Sequence, residues 1–186
     1  GTPFSLIINR LIHFLRPNSR RGSKKNIGAH YDLGNTFYQH WLDKSMTYSS
    51  AIYEQGNDAL ECAQQRKYQR IIEMMEASDQ QDVLEVGCGW GGFAEAVLKQ
   101  YQLNSYKGIT LSHEQLSYAK NRINDSSGRS QFSLQDYRDL SGQYDRIVSI
   151  EMIEAVGENH WPAYFACLKE RLKPGGFAVI QAITIA

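Results

Sequence analysis

Apolar positions along this chain follow two different spacings, and the change from one to the other falls near residue 82. Before it, Leu60, Gln64, Tyr68, Ile71, Ile72 and Met75 approximate a 3.6-residue stripe. This predicts a long helix from an N-cap at Asn57-Asp58 to about Ser78. A shorter helix is predicted over residues 35–42, inside an aromatic-rich, irregular stretch from His30 to Tyr53 of the kind that often carries function. After residue 82, short apolar runs alternate with amphipathic stretches. Strands are predicted near 82–86, 106–110, 131–134, 146–150 and 178–183, with helices between them. One helix start is marked by the capping-box spacing of Ser112-His113-Glu114-Gln115. Trp161, Phe165, Leu168 and Leu172 share one face of a later helix, which Lys173-Pro174-Gly175-Gly176 is expected to stop. The pattern is that of βαβ units around a mainly parallel sheet, an α/β fold of Rossmann-like type with an N-terminal helical extension. It divides into a basic segment over 1–30, a helical covering region over 31–80 and an α/β domain over 81–186.

Composition narrows the class. A chain of 186 residues, 42% hydrophobic, suffices for one packed core and a short extension. Cys62, Cys88 and Cys167 lack the number and spacing of a disulfide framework or a zinc site, so no metal is expected and a reducing, cytoplasmic setting fits. No apolar run approaches the ~20 residues needed to span a bilayer, and Gly1-Thr2-Pro3 reads as an artificial start rather than a signal peptide. The expectation is a soluble chain, at most peripherally attached to a membrane. The net charge of +0 conceals an asymmetry: Arg10, Arg16, Arg20, Arg21, Lys24 and Lys25 occur before residue 30 with no Asp or Glu. The amphipathic stretch over 4–15 suits an anionic surface, although a docking helix followed by a solvated linker explains the same residues. Nucleic acid is disfavoured as a partner, because the positive charge is confined to one end and the remainder is acidic.

The chemistry centres on Val83-Leu84-Glu85-Val86-Gly87-Cys88-Gly89-Trp90-Gly91-Gly92, which puts E-x-G-x-G-x-G between the first strand and its helix. Glycines there permit positive φ and a close ligand approach at the carboxyl edge of the sheet. The alternating spacing departs from the dinucleotide G-x-G-x-x-G. It resembles motif I of class I methyltransferases, which implies S-adenosylmethionine as cofactor and contacts from Gly87, Cys88, Gly89 and Gly91. Glu85 would orient the loop amides and meet the ammonium end of the methionine moiety, unless it simply pairs with a neighbouring Lys or Arg. Two further stations follow in order. Gly108-Ile109-Thr110-Leu111-Ser112, leading to Gln115, would contact ribose and methionine. Asp136 and Tyr137 would meet the adenine amino group and ring face.

Outside that loop, His30 to Asn35, Leu42-Asp43, Met46 to Ala51, Asp136-Tyr137-Arg138 and Glu151 to Gly157 resemble the cyclopropane-fatty-acyl-phospholipid synthase and mycolic acid cyclopropane synthase family. The similarity runs over about residues 26–186. The resemblance implies a seven-stranded sheet, so the last two strands are expected to lie beyond this chain. It also implies methyl transfer to the cis double bond of an unsaturated phospholipid acyl chain, giving a cyclopropane or a methyl branch. Tyr48 and Ser49 would close over the cofactor, His30, Tyr31 and Tyr53 would line the lipid site, and other aromatics of the segment would stabilise a cation. A bound bicarbonate would serve as base, with Glu154 as its acidic ligand and Ser50 and Gln181 as further partners. The sequence departs from the familiar synthases here, because Ser50 replaces a common Cys, Ala155 a common His and Gln181 an expected His. Glu154 also admits a plain helix-capping role. A polar small-molecule methyltransferase is the alternative activity. The oligomeric state, a homodimer included, stays open.

Overall fold

The computed structural model describes residues 34–184. His30, Tyr31 and the basic amphipathic segment lie outside the described residues. In chain order the elements are α1 (Asn35–Gln39), α2 (Leu60–Met74), β1 (Asp82–Val86), α3 (Gly92–Leu98), β2 (Ser105–Thr110), α4 (His113–Arg122), β3 (Ser130–Leu134), β4 (Tyr144–Ile150), α5 (Ile153–Val156), α6 (Trp161–Glu170) and β5 (Leu172–Gln181). Single 3₁₀ turns occupy Tyr137–Asp139 and Glu158–His160.

The five strands form one parallel sheet in the order β3-β2-β1-β4-β5. Central β1 is buried from Val83 to Val86, Glu85 included, because helices cover both faces of the sheet. Strand alternation sends Val83 and Glu85 to one face and Leu84 and Val86 to the other. On the first face Val83 joins Tyr106, Phe93 and Val97 with Tyr68, Ile71 and Ile72 of α2 and with Met75 just after it. On the second, Leu84 and Val86 join Ile147, Tyr164 and Leu168. Helix α2 therefore shares the sheet's own core, which fixes where its polar side chains point.

Several local expectations are corrected. Helix α2 begins at Leu60 with Ala59 as an N-cap that makes no side-chain bond, and it ends at Met74. Asp58 instead closes the preceding turn, accepting from the Glu54 and Gln55 amides at 3.0 Å and from Arg66. Helix α1 stops at Gln39. The buried face of α6 is Tyr164 and Leu168, whereas Trp161 and Phe165 are exposed. Lys173-Pro174-Gly175-Gly176 does not separate α6 from β5 but lies within β5. A register shift accommodates it: Tyr144 pairs with Leu172 and Arg146 with Phe177, so the proline falls in a bulge where no ladder hydrogen bond is asked of it. The Ser112 cap is present, accepting from the Gln115 amide at 3.3 Å.

Candidate active site

The turn after β1 is shaped by its glycines. Gly87 has φ 84°, and a Cβ placed there would fall 2.3 Å from the Met152 sulfur, so only a bare backbone fits. The Gly87 and Cys88 amides donate to the Ile109 carbonyl at 3.0 and 2.9 Å, pinning the turn to β2. The turn forms one side of a cleft at the carboxyl edge of the sheet. Of the residues assigned to the cofactor from sequence, Tyr48, Ser49, Glu85, Gly87, Cys88, Gly89, Thr110, Leu111, Gln115 and Tyr137 line it. Gly91 and Asp136 do not. Gly91 caps α3 in the left-handed conformation. The Asp136 carboxylate is engaged by Arg138, at 2.8 Å from Nε and 2.6 Å from Nη2, and caps the adjacent 3₁₀ turn.

The floor of the cleft is a buried polar group of unusual composition. Glu85 is 2% exposed and accepts from the Tyr106 hydroxyl. Burial pushes its carboxyl up to about 8, against the pull of Tyr106 and Lys67. Lys67, on α2, is also 2% exposed, and burial brings its ammonium down to about 8 despite attraction from Glu151, Asp43 and Glu85. The Lys67 ammonium donates to the Ser49 hydroxyl and lies 4.6 Å from the Tyr68 ring centroid. Beside it, Gln64 donates to the Ser49 carbonyl at 2.7 Å. Nearby, Thr110 donates to the Gln115 side chain at 2.7 Å.

The segment before α2 is fastened over this cleft. The Trp90 indole N–H donates to the Asn35 side chain at 2.6 Å, and Asn35 donates to Glu114 at 3.1 Å. Tyr38, Met46 and Trp90 form a small apolar cluster. The Thr47 hydroxyl lies 2.7 Å from that of Tyr68.

A second cavity adjoins the first. Trp41, Leu42, Leu60 and Ile183 give it apolar walls, and Ser50, Gln64, Glu151 and Glu154 supply polar groups. Thr47, Tyr48, Ser49 and Glu151 line both cavities and so form the partition between them. At that partition the Ser50 amide and hydroxyl donate to Glu151 Oε1 at 2.8 and 2.6 Å. Gln181 Nε2 donates to the same oxygen at 2.9 Å and to Ser50 Oγ at 2.9 Å. Ser50 and Gln181, paired from the resemblance, are thus brought together around Glu151, which sequence reasoning did not assign. The available signal was its place at the carboxyl end of β4, where α/β folds collect functional groups. Glu151 has φ 52°, a conformation that non-glycine residues rarely hold. Glu154 caps no helix; α5 is preceded by Met152, and the Glu154 carboxylate accepts from the Ile183 amide at 2.6 Å. Tyr53 is 52% exposed and lines neither cavity.

Among the described residues no helix is long and apolar enough to cross a membrane. Comparison with known proteins gives a consistent family. The profile described as mycolic acid cyclopropane synthetase matches residues 18–186. Tuberculostearic acid methyltransferase UfaA1 of Mycobacterium tuberculosis is 38% identical over 200 aligned residues, covering 96% of this chain and 46% of the relative. The cyclopropane-fatty-acyl-phospholipid synthase of Escherichia coli K12 is 42% identical over 154 residues, covering 83% of this chain and 39% of the relative. This chain spans less than half the length of either curated relative. Among solved structures, mycolic acid cyclopropane synthase CmaA1 complexed with S-adenosylhomocysteine superposes with a TM-score of 0.80 at 28% identity, over 84% of this chain and 55% of that one. With a profile match across nearly all of its length and relatives above 30% identity, the chain belongs to the mycolic acid cyclopropane synthetase family.

Proposed function

We propose that this chain carries the S-adenosylmethionine site of an enzyme that alkylates the cis double bond of an unsaturated phospholipid acyl chain. The observation that carries the reading is the shared partition. A cleft built on the glycine turn meets an apolar-walled cavity across Thr47, Tyr48, Ser49 and Glu151. Bound in the cleft, S-adenosylmethionine supplies an electrophilic methyl carbon. The chain then has two tasks: to hold an alkene against the partition with water excluded, and to remove a proton from the carbocation that methylation leaves in the acyl chain. Trp41, Leu42 and Leu60 serve the first task by offering apolar surface to an acyl chain. Glu151 serves the second. Its Oε1 takes the hydrogen bonds from Ser50 and Gln181, and among the described residues Oε2 accepts none, which leaves that oxygen for the proton.

The bicarbonate anticipated from sequence does not fit this arrangement. The donors assigned to it converge on the chain's own carboxylate, and a second anion would face Glu151 without them. Loss of the proton from the transferred carbon closes a cyclopropane ring, and loss from a neighbouring chain carbon leaves a methyl-branched alkene. The relatives named above include both a cyclopropane synthase and a fatty-acid methyltransferase, the latter described for tuberculostearic acid.

The test is incubation of the full-length protein with methyl-labelled S-adenosylmethionine and unsaturated phospholipid, followed by mass spectrometry of the acyl chains. Label in the acyl chain is the expected result, and label confined to polar metabolites would replace this reading with a small-molecule methyltransferase. The basic segment over 1–30 supplies the route to the lipid. Binding to anionic vesicles is expected to weaken as salt rises, and equal binding to neutral vesicles would remove that route.

A further inference from the structure

Lys67 is a cation without a conventional explanation. It is almost fully buried, and the one hydrogen bond its ammonium makes among the described residues goes to the Ser49 hydroxyl. Its attraction to Glu151, Asp43 and Glu85 acts at longer range. Nothing in the apolar stripe of α2 requires a charge there, since Tyr68, Ile71 and Ile72 already fill the core. Burying an ammonium is costly unless it is put to use.

Hydrogen-bond polarity shows what that use is. An ammonium has donors only, so the Ser49 oxygen must accept from Lys67. The Ser49 proton is then directed away from Lys67, and among the described residues no acceptor meets it. Ser49 lines the cofactor cleft, and its backbone is held by Gln64 through the carbonyl. The result is a fixed donor, backed by a buried positive charge, facing the cavity. On the floor of the same cleft Glu85 presents the opposite character. A zwitterionic amino-acid end needs both: an acceptor region for its ammonium and a donor for its carboxylate.

We propose that Lys67 is a positioning residue that orients the Ser49 hydroxyl as a donor to the α-carboxylate of the cofactor's methionine moiety. The inference rests on the assignment of the cleft to S-adenosylmethionine and not on the lipid substrate. It makes Lys67 a determinant of selectivity for the amino-acid end of the ligand, while the adenosine end is read elsewhere in the cleft.

The experiment is calorimetry on the full chain with two probes, S-adenosylhomocysteine and 5′-methylthioadenosine, which lacks the amino-acid end. Lys67→Met is expected to weaken S-adenosylhomocysteine about tenfold and to leave 5′-methylthioadenosine within about twofold. Ser49→Ala is expected to give the same selective loss, and the double variant no more than the larger single loss. Equal loss for both probes would mark Lys67 as merely structural and overturn the inference, as would no loss for either. Lower lipid turnover with both affinities unchanged would place the ammonium in the service of Glu151 instead, and also overturn it. Should Lys67→Met not fold, Lys67→Gln and Ser49→Ala decide: selective loss upholds the inference and non-selective loss or no loss ends it. Wild-type protein that does not bind S-adenosylhomocysteine would overturn the cleft assignment itself, a failure distinct from these.

Discussion

Two carboxylates a few residues from the ends of adjacent strands meet opposite fates. Glu85, in β1, faces the α2 side of the sheet with one hydroxyl for company, and burial holds its carboxyl up near 8. Glu151, just past β4, takes three donors on a single oxygen, from the Ser50 amide, the Ser50 hydroxyl and Gln181. Bare burial disfavours the ionised form of Glu85. The same functional group is a buried cleft floor with a single hydroxyl donor in one place and a donor-crowded group at the partition in the other. Solvation of the acid, more than its presence, sets its role.

The sharpest way to break the comparison is Glu151→Gln in the full-length enzyme. It nearly preserves volume, and turnover on unsaturated phospholipid is expected to fall about a hundredfold or more while S-adenosylhomocysteine affinity holds. Normal turnover would return the proton-accepting role to another group. The next largest effect is on stability against pH. The Glu85 carboxyl is raised in the fold from 4.5 to about 8, so the folded chain binds its proton more tightly than the unfolded chain. Its stabilising contribution is fully present below 4.5 and is lost as pH rises through about 8. The melting temperature of the wild type, relative to Glu85→Gln, should therefore decline across that window. A flat difference would show that Lys67 and Tyr106 keep the carboxylate ionised throughout. Lys67, lowered from 10.5 to about 8, acts in the opposite sense above pH 8.

Glu154→Gln should have a smaller effect, because the amide oxygen can still accept from Ile183. Turnover is expected to fall less than about tenfold, and a loss as large as that of Glu151→Gln would make the two acids a joint unit. The smallest effect belongs to Asp58, held down to about 2 by Arg66 and two backbone amides. Its contribution is present above 3.8 and lost as pH falls toward 2, so Asp58→Asn should lower the melting temperature slightly at pH 6 and not at pH 2.

The contrast between the two acids also separates what could be read from sequence. Glu85 sits within ten contiguous residues whose glycine spacing reports the turn directly, and the strand-helix alternation around it foretold the sheet. Glu151, Ser50 and Gln181 come from three distant segments, and only the fold brings them to one oxygen. Family resemblance supplied Ser50, Gln181 and Glu154 but gave no reason to single out Glu151, whose oxygen Ser50 and Gln181 share. Lys67 was invisible for another reason: on an amphipathic helix a lysine reads as solvent-facing, and only the aromatic segment laid over α2 buries it. Pro174 in β5 misled because proline ends helices in general but is tolerated at a bulge, and it lies in the register shift opposite Tyr144 and Arg146.

Asn35 ties the Trp90 indole, on the glycine turn, to Glu114 at the start of α4. The residues that would cover the cofactor and the turn that would cradle it are consequently one mechanical unit. By reciprocity, whatever a ligand gains from finding this clasp shut is returned as resistance of the clasp to opening. Protease accessibility around Asn35 is therefore expected to fall when S-adenosylhomocysteine is bound, and unchanged accessibility would show that the clasp and the cleft are uncoupled.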